Sequence, residues 1–190
     1  MGWSPTDKQW GQASRGFWCG GLGLREAAVH AAPAYLASRL VITKLCQELD
    51  LTFPWEGANA GSALGKALHS YNAAVRDQDQ LNLDTEPSAP PRQQTLSRAV
   101  DQHAHTEFLN GLCDSDRRSL LSELLPVASG FLQAPPSKER GLAWDPTEFV
   151  TEVRTRLLAD LYPEDTWCPA CDAVLDKKGR HPGVCAAGGD

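Results

Sequence analysis

Apolar side chains after Arg25 recur with the spacing of an α-helix. The clearest positions are four residues apart, namely Val41, Leu45 and Leu49, with Leu36 and Leu40 beside them. Residues three or four apart share one face of a helix, so the pattern predicts a first helix over this stretch. Pro33 has no backbone N–H, and we therefore expect it to begin or kink this helix rather than to lie within a straight one.

The same spacing predicts a second helix from Ala60 to Val75 and a third from about Gln93 to Leu112. Their apolar positions are Leu64, Leu68, Tyr71 and Val75 in the second helix, and Leu96, Val100, Phe108 and Leu112 in the third. The stretch between them, residues 81–92, contains three prolines and predicts a linker or a long surface loop.

A fourth helix is predicted after Cys113, where Asp114 or Ser115 can cap its first turn. Pro126 and Gly130 are expected to end it. Its apolar stripe is expected to consist of Leu120, Leu121, Leu124 and Leu125.

The fifth helix has the clearest start in the chain. Asp145 is a suitable N-cap, Pro146 suits the first helical position, and Glu148 completes a capping-box arrangement. Its buried face is expected to consist of Phe149, Val153 and Leu157. We expect the basic residues on this helix, Arg154 and Arg156, to lie on a solvated face, with a nucleic-acid surface as the second interpretation.

The predicted fold is mostly α, because no segment alternates apolar and polar residues as a strand would. A hydrophobic content of 42% supports a packed core. We predict an irregular N-terminal segment with a Gly-rich turn (1–24), a multi-helix domain (25–160, with the loop at about 81–92) and a small C-terminal zinc knuckle (161–190). The chain shows neither an apolar run of about 18 residues nor a secretion signal, so we expect an intracellular protein, nuclear or cytoplasmic.

The C-terminal residues contain a cluster of metal-ligand types with the spacing C-x2-C-x9-H-x3-C. The cluster consists of Cys168, Cys171, His181 and Cys185. Tetrahedral Zn²⁺ binds three thiolates and an imidazole well, and short ligand pairs joined by a loop are typical of small structural sites. Metal binding explains the cluster better than a disulfide or free thiols, because no secretion signal accompanies it. The sequence predicts one structural Zn²⁺ ion.

Basic residues in the loop between the ligand pairs are candidates for nucleic-acid contact. Lys177, Lys178 and Arg180 can meet phosphates, although Asp172 and Asp176 share the loop and oppose this role. Trp167 can stack on a base, but we favour the alternative that it packs on the small core of the knuckle. A net charge of -6 argues against a wholly nucleic-acid-binding surface.

The sequence shows no set of residues typical of catalysis. His103 and His105 are two positions apart on a predicted helix, so they point to different faces and cannot chelate one ion together. No nucleophile motif is present, and four protein ligands would leave a zinc ion without an open coordination position. We therefore expect a protein that is not an enzyme.

Two motifs carry a family resemblance. Gly20–Ala28 reads GGLGLREAA and Ala32–Ser38 reads APAYLAS, and together they resemble the segment after the polymerase core in non-long-terminal-repeat retrotransposon reverse transcriptases. The C-terminal cluster resembles the CCHC zinc knuckle that precedes a restriction-like endonuclease in one lineage of these elements. Phe131–Pro136 and Leu142–Phe149 are similar to the family's approach to that knuckle.

The resemblance implies a helical connector domain followed by a zinc knuckle, without either catalytic domain. No Tyr-x-Asp-Asp motif is present, and the family's acidic residue before the knuckle histidine is replaced by Arg180. The implied partners are DNA or RNA, bound weakly, and neither a membrane nor a small-molecule substrate is expected. The alternatives are a helical protein-interaction module with a purely structural zinc site, or a decayed fragment without a function.

Overall fold

The computed structural model describes residues 3–55, 57–125, 128, 130–132, 134–141, 143–185 and 187. Within these residues the chain is mostly α-helical, as predicted. The helices are α1 Asp7–Ala13, α2 Ala27–Leu49, α3 Ala63–Ala73, α4 Gln93–Asn110, α5 Asp114–Glu123 and α6 Pro146–Arg156. The strands β1 Thr166–Trp167 and β2 Val174–Leu175 form an antiparallel pair, and short 3-10 turns cover Phe17–Cys19, Asp77–Asp79, Gly130–Leu132 and His181–Val184.

The chain divides into two compact units. One is Arg25–Gly111, and the other combines the residues up to Leu24 with those from Leu112 onward. The sequence-based division placed 25–160 in one domain and left 1–24 apart, so the structure groups the chain differently. Residues 186 and 188–190 of the predicted knuckle, and Gln133 and Leu142 of the resembling segments, lie outside the described residues.

Arg25–Gly111 is built around α2, which packs against both α3 and α4. Its buried core consists of Leu36, Ala37, Leu40, Leu64, Tyr71, Val75, Leu83, Leu96 and Val100. The predicted loop at 81–92 contains neither helix nor strand, and it contributes Leu83 to this core. Asn72 fixes the start of the loop, because its side chain both donates to and accepts from the backbone of Leu81, at 2.9 Å each.

Helix α2 differs from its prediction in two ways. It begins six residues before Pro33 and continues through it, with the proline ring buried. Its buried face runs through Leu36 and Leu40, whereas Val41 and Leu45 are about half exposed and Leu49 is 91% exposed. The four-residue spacing therefore identified the helix but not the face that packs.

The other unit begins with a helix where the sequence predicted irregular structure. Thr6 caps α1, and the Gln9 side chain accepts from the Thr6 N–H to complete a capping box. The short 3-10 turn after it ends at Gly20, whose φ of 75° favours glycine. At Gly21 an added Cβ would lie 2.1 Å from the carbonyl oxygen of Arg15, so only glycine fits.

A fully buried arginine joins three parts of this unit. Arg156 donates from Nε to the carbonyl of Gly21 at 3.1 Å, and from its terminal nitrogens to the carbonyls of Glu123 at 3.1 Å and Phe17 at 2.8 Å. The Glu123 carboxylate lies 3.7 Å from the guanidinium. The prediction of a solvated face was wrong for Arg156, because its side chain is 0% exposed and donates to three backbone carbonyls.

Burial shifts both charged groups of this network. Desolvation raises the pKa of Glu123, and Arg156 only partly offsets the shift. Desolvation also lowers the pKa of Arg156, against the opposing charge of Glu123. The guanidinium therefore acts mainly as a set of hydrogen-bond donors to backbone carbonyls.

Helix α5 starts one residue earlier than the predicted caps imply, because Cys113 occupies the N-cap position. It ends at Glu123, and Pro126, the predicted stop, lies outside the described residues. Only part of the predicted leucine stripe is buried: Leu120 is fully buried, whereas Leu121 and Leu125 are exposed.

Helix α6 starts as predicted. Asp145 accepts from the Thr147 N–H at 2.8 Å, and Glu148 accepts from the Asp145 N–H at 3.0 Å, so the capping box is confirmed. Leu157 is buried as predicted, but Phe149 is 45% exposed. Within the described part of the chain, every helix is too short or too polar to cross a membrane.

Candidate metal centre

The first ligand pair lies in the loop of a small hairpin. Strands β1 and β2 pair Trp167 with Val174, and the loop between them carries Cys168 and Cys171. The Cys168 N–H donates to the carbonyl of Ala173 at 2.8 Å, which closes the loop. Asp172 follows the second cysteine with a φ of 56°, a left-handed conformation that turns the chain back toward β2. Both thiols are thereby presented on the same side of a tight turn.

The second ligand pair flanks a 3-10 turn. His181 begins this turn, and Cys185 follows its last residue. Gly179 precedes the pair with a φ of 69°, a left-handed conformation that favours glycine. An added Cβ at Gly179 would lie 2.6 Å from Leu161 Cδ1, so the close packing also excludes a larger residue.

Asp176 orients the second ligand pair and was not recognised as doing so from the sequence. Its Oδ1 accepts from the backbone N–H of Arg180 at 2.8 Å and of His181 at 3.3 Å. The carboxylate therefore fixes the backbone at the histidine from five residues earlier. The signal in the sequence for this role is an acidic residue ahead of Gly179. The sequence-based interpretation considered Asp176 only as a charge that opposes phosphate contact.

The four predicted ligands are brought together. Their ligand atoms all lie within 4.8 Å of one another. Cys168 Sγ is 3.9 Å from Cys185 Sγ, Cys171 Sγ is 3.6 Å from Cys185 Sγ, and His181 Nε2 is 3.1 Å from Cys171 Sγ. A tetrahedral ion with Zn–S bonds of about 2.3 Å separates its sulfur ligands by about 3.8 Å. The cluster could therefore hold one metal ion.

The sulfur separations do not correspond to a disulfide. A disulfide bond is about 2.05 Å long, and none of the six cysteines, all of them among the described residues, forms one. The other three cysteines are not members of the cluster: Cys19 is buried, Cys46 is half-buried and Cys113 is exposed.

The local backbone favours the thiolate that a metal requires. The N–H of Ala170 is the main cause that lowers the pKa of Cys168 to about 6, and the N–H of Cys171 adds to it. The pKa of Cys171 is raised, because desolvation and the sulfurs of Cys185 and Cys168 outweigh the lowering effect of the Ala173 N–H. Thiolates crowded together repel one another, and a bound cation removes that repulsion.

The three basic residues of the knuckle loop are paired with acids. Lys177 Nζ lies 3.0 Å from Asp160 Oδ2, and Lys178 Nζ lies 2.7 Å from Asp116 Oδ1. Arg180 also binds Asp116 through its guanidinium, and its Nε donates to Ser119 Oγ at 2.9 Å. Two of the three residues expected to meet phosphates, Lys178 and Arg180, therefore attach the loop to α5.

Asp116 is the shared acceptor of this attachment. Burial acts to raise its pKa, but the hydrogen bonds and charges of Lys178 and Arg180 outweigh burial and lower the pKa of Asp116 below its ordinary value. No local pattern indicates this interaction, since Asp116 precedes its partners by some sixty positions and resembles an ordinary acidic residue of a first helical turn.

Trp167 does not pack on a core of the knuckle. Its side chain is 70% exposed, and Val174, opposite it on β2, is 51% exposed. The expectation that Trp167 packs on the knuckle is therefore wrong, because a hairpin with two residues in each strand leaves this face uncovered.

Comparison with protein-family models, with curated proteins and with solved structures found no match.

Proposed function

We propose that the cluster binds one Zn²⁺ ion and that the ion is structural. The observation that supports this most strongly is the convergence of three thiols and one imidazole within 4.8 Å. Thiolates and imidazole together suit zinc, whereas carboxylate and carbonyl ligands suit magnesium or calcium. Four protein ligands complete a tetrahedron, so the ion has no open position at which to activate water. We propose no catalysis by this chain.

The proposed ion stabilises the attachment of the knuckle to α5. The ligands Cys171 and His181 bracket Lys178 and Arg180, which bind Asp116. When both ends of this loop are held by the ion, the loop has fewer conformations. Less conformational entropy is then lost when Lys178 and Arg180 pair with Asp116. Zinc binding and docking of the loop are thus expected to support each other.

Metal content of the purified chain tests the zinc proposal. We expect about one Zn²⁺ per chain by mass spectrometry, and loss of the ion in Cys171→Ser. The matched control is Cys46→Ser, which removes a half-buried thiol outside the cluster and should retain the metal. A zinc content well below one per chain, or equal zinc in both variants, would contradict the proposal.

A second proposed capacity is weak binding of single-stranded DNA or RNA through Trp167. Its exposed ring lies beside the ligand Cys168, and exposed aromatic side chains stack on bases of any sequence. Lys177, Lys178 and Arg180 are engaged with acids, so the phosphate contribution is small. We therefore place Trp167 at the centre of the contact, with the three basic residues contributing only where an ion pair opens.

Fluorescence-anisotropy titrations at low salt test this capacity. We expect measurable binding of a single-stranded oligonucleotide, weakened about five-fold or more in Trp167→Ala. Trp10→Ala removes another exposed tryptophan, 52% exposed, and should leave the affinity unchanged. Absence of binding at low salt would favour the alternative, a protein-interaction module with a purely structural ion, which the pairing of the basic residues supports.

The proposed origin is the connector and knuckle of a retrotransposon reverse transcriptase. The support for it is the order of its motifs: a Gly-rich turn at Gly20–Gly23, the helix carrying Ala32–Ser38, and the CCHC cluster near the C-terminus. The genomic sequence on both sides of the coding region tests this origin. Upstream Tyr-x-Asp-Asp and downstream nuclease carboxylates are the expected result, and unrelated flanking genes would contradict it.

A further inference from the structure

Helix α2 carries a solvent-exposed stripe with the spacing of a coiled coil. Its members are alternately three and four residues apart, and all of them are exposed: Ala28, Ala31, Tyr35, Ser38, Ile42, Leu45 and Leu49. A strict alternation of three and four gives the 3.5-residue period of a coiled-coil seam. The stripe covers three heptads in a helix of 23 residues.

This stripe, which we call the α2 seam, is not part of the core. The buried residues of the helix, Leu36, Ala37 and Leu40 among them, occupy the opposite side and pack against α3 and α4. The large members of the seam remain open to solvent, with Tyr35 41%, Ile42 47%, Leu45 51% and Leu49 91% exposed. A contiguous apolar surface of this kind marks an interaction site.

We propose that the α2 seam pairs with the same seam of a second copy, as a parallel two-stranded coiled coil. In heptad terms Tyr35, Ile42 and Leu49 occupy a positions, and Ser38 and Leu45 occupy d positions. An isoleucine at a followed by a leucine at d favours the parallel dimer. Each apolar residue then meets its own equivalent, and the hydroxyl of Ser38 gains a matching hydroxyl as its hydrogen-bond partner.

The charges beside the seam favour this occupant and this orientation. Arg39 is the basic residue that flanks the seam, at an e position. In an antiparallel pair about Ser38 it would face its own equivalent and repel it. In a parallel pair it faces Ala34, which carries no charge. The parallel arrangement of two copies therefore brings no like charges together.

The size of the seam predicts a weak, reversible dimer. A helix of 23 residues is about 35 Å long and about 10 Å wide. This footprint is smaller than the roughly 800 Å² per partner of a standard specific interface. We therefore expect a dissociation constant in the micromolar range rather than a permanent dimer.

Analytical ultracentrifugation of the full zinc-loaded chain tests the proposal. Over a range from about 1 to 500 µM, which brackets a micromolar constant, we expect the mass to rise from one chain to two. Leu45→Glu, at the centre of the exposed seam, should leave a single chain at all these concentrations. The matched control is Val29→Glu, which puts the same charge on an exposed apolar residue of α2 outside the seam and should keep the dimer. Circular dichroism confirms that each variant is helical.

A mixture of Leu45→Glu and Leu45→Lys tests the orientation. In a parallel pair the two substituted positions face each other, so mixing should restore a dimer that neither variant forms alone. A single chain at all concentrations, assembly that Leu45→Glu does not change, or failure of the mixture to associate would each overturn the proposal. The ligand cluster lies outside Arg25–Gly111, so the outcome is independent of whether the cluster binds zinc.

Discussion

Arg156 Nε donates a hydrogen bond to the carbonyl oxygen of Gly21 at 3.1 Å, across 135 positions of the chain. The same guanidinium also satisfies the carbonyls of Phe17 and Glu123. One buried side chain thus joins the Gly-rich turn, the end of α5 and the last turn of α6. The N-terminal residues belong to the same compact unit as the knuckle, and these hydrogen bonds contribute to that association.

Replacing Arg156 should strongly destabilise this unit. In Arg156→Met the carbonyls of Gly21 and Glu123 lose the guanidinium donor, Phe17 keeps only the Gly20 N–H, and the Glu123 carboxylate loses its partner. We expect a loss of about 3 kcal/mol in the free energy of unfolding. Urea denaturation followed by tryptophan fluorescence measures it. Arg140→Met, an exposed control, should change the stability by less than about 0.5 kcal/mol. Equal effects of the two substitutions would contradict the role assigned to Arg156.

Helix existence could be predicted from the sequence better than helix environment. The capping box at Asp145 and the loop at 81–92 depend on local chemistry, and the structure contains both. The four ligands were found for the same reason, since their spacing is local. Burial of Arg156 was missed because it depends on carbonyls more than a hundred positions away, which no local pattern records.

Two further errors concern the face of α2 and the existence of α1. The α2 seam includes Leu45 and Leu49, whose four-residue spacing is also typical of a buried stripe. The spacing alone therefore did not distinguish the exposed face of α2 from the buried one. The N-terminal helix α1 was missed because it is only seven residues long and has few apolar positions, although Thr6 and Gln9 carried the capping signal. Periodicity identifies a helical face, but only tertiary packing decides what covers it.

Removing the shared acceptor of the knuckle loop should loosen the proposed zinc site. Asp116→Asn weakens the contacts to Lys178 and Arg180, and since both cations are partly exposed we expect a loss of about 1 kcal/mol. Zinc should also transfer to a colorimetric chelator faster than in the unmodified protein. Asp114→Asn is the matched control in the same helical turn and should leave the transfer rate unchanged. An unchanged rate in Asp116→Asn would show that docking and metal retention are not coupled.

His30 should make the stability fall as the pH falls. Desolvation lowers its pKa, with Arg25 adding to the shift and Asp101, 3.4 Å away, opposing it. Because the unfolded chain binds a proton near pH 6.5 and the folded chain does so only at lower pH, stability is fully present above that value and decreases below it.

The measurement is the difference in unfolding free energy between pH 7.5 and pH 5.5, in the unmodified protein and in His30→Gln. The difference should be smaller in the variant, and subtracting the two values removes the contribution of every other titrating group, the zinc ligands included. The control is His103→Gln, which replaces a histidine on a different helix, α4, and should retain the full pH dependence. A pH dependence that His30→Gln leaves unchanged would contradict the assignment.

Asp172 holds the first ligand pair in a left-handed turn that glycine adopts without cost. Its φ is 56° and its side chain is exposed, so Asp172→Gly should stabilise the zinc-loaded protein by up to about 1 kcal/mol. Asp172→Asn removes the same negative charge beside the thiolates while keeping the Cβ, and it separates the backbone effect from the electrostatic one. Asp172→Ala should be the least stable, because alanine tolerates this conformation poorly. We therefore expect the thermal midpoint to be highest for Asp172→Gly, lower for Asp172→Asn and lowest for Asp172→Ala. Equal midpoints for the alanine and glycine variants would exclude a left-handed turn at this position.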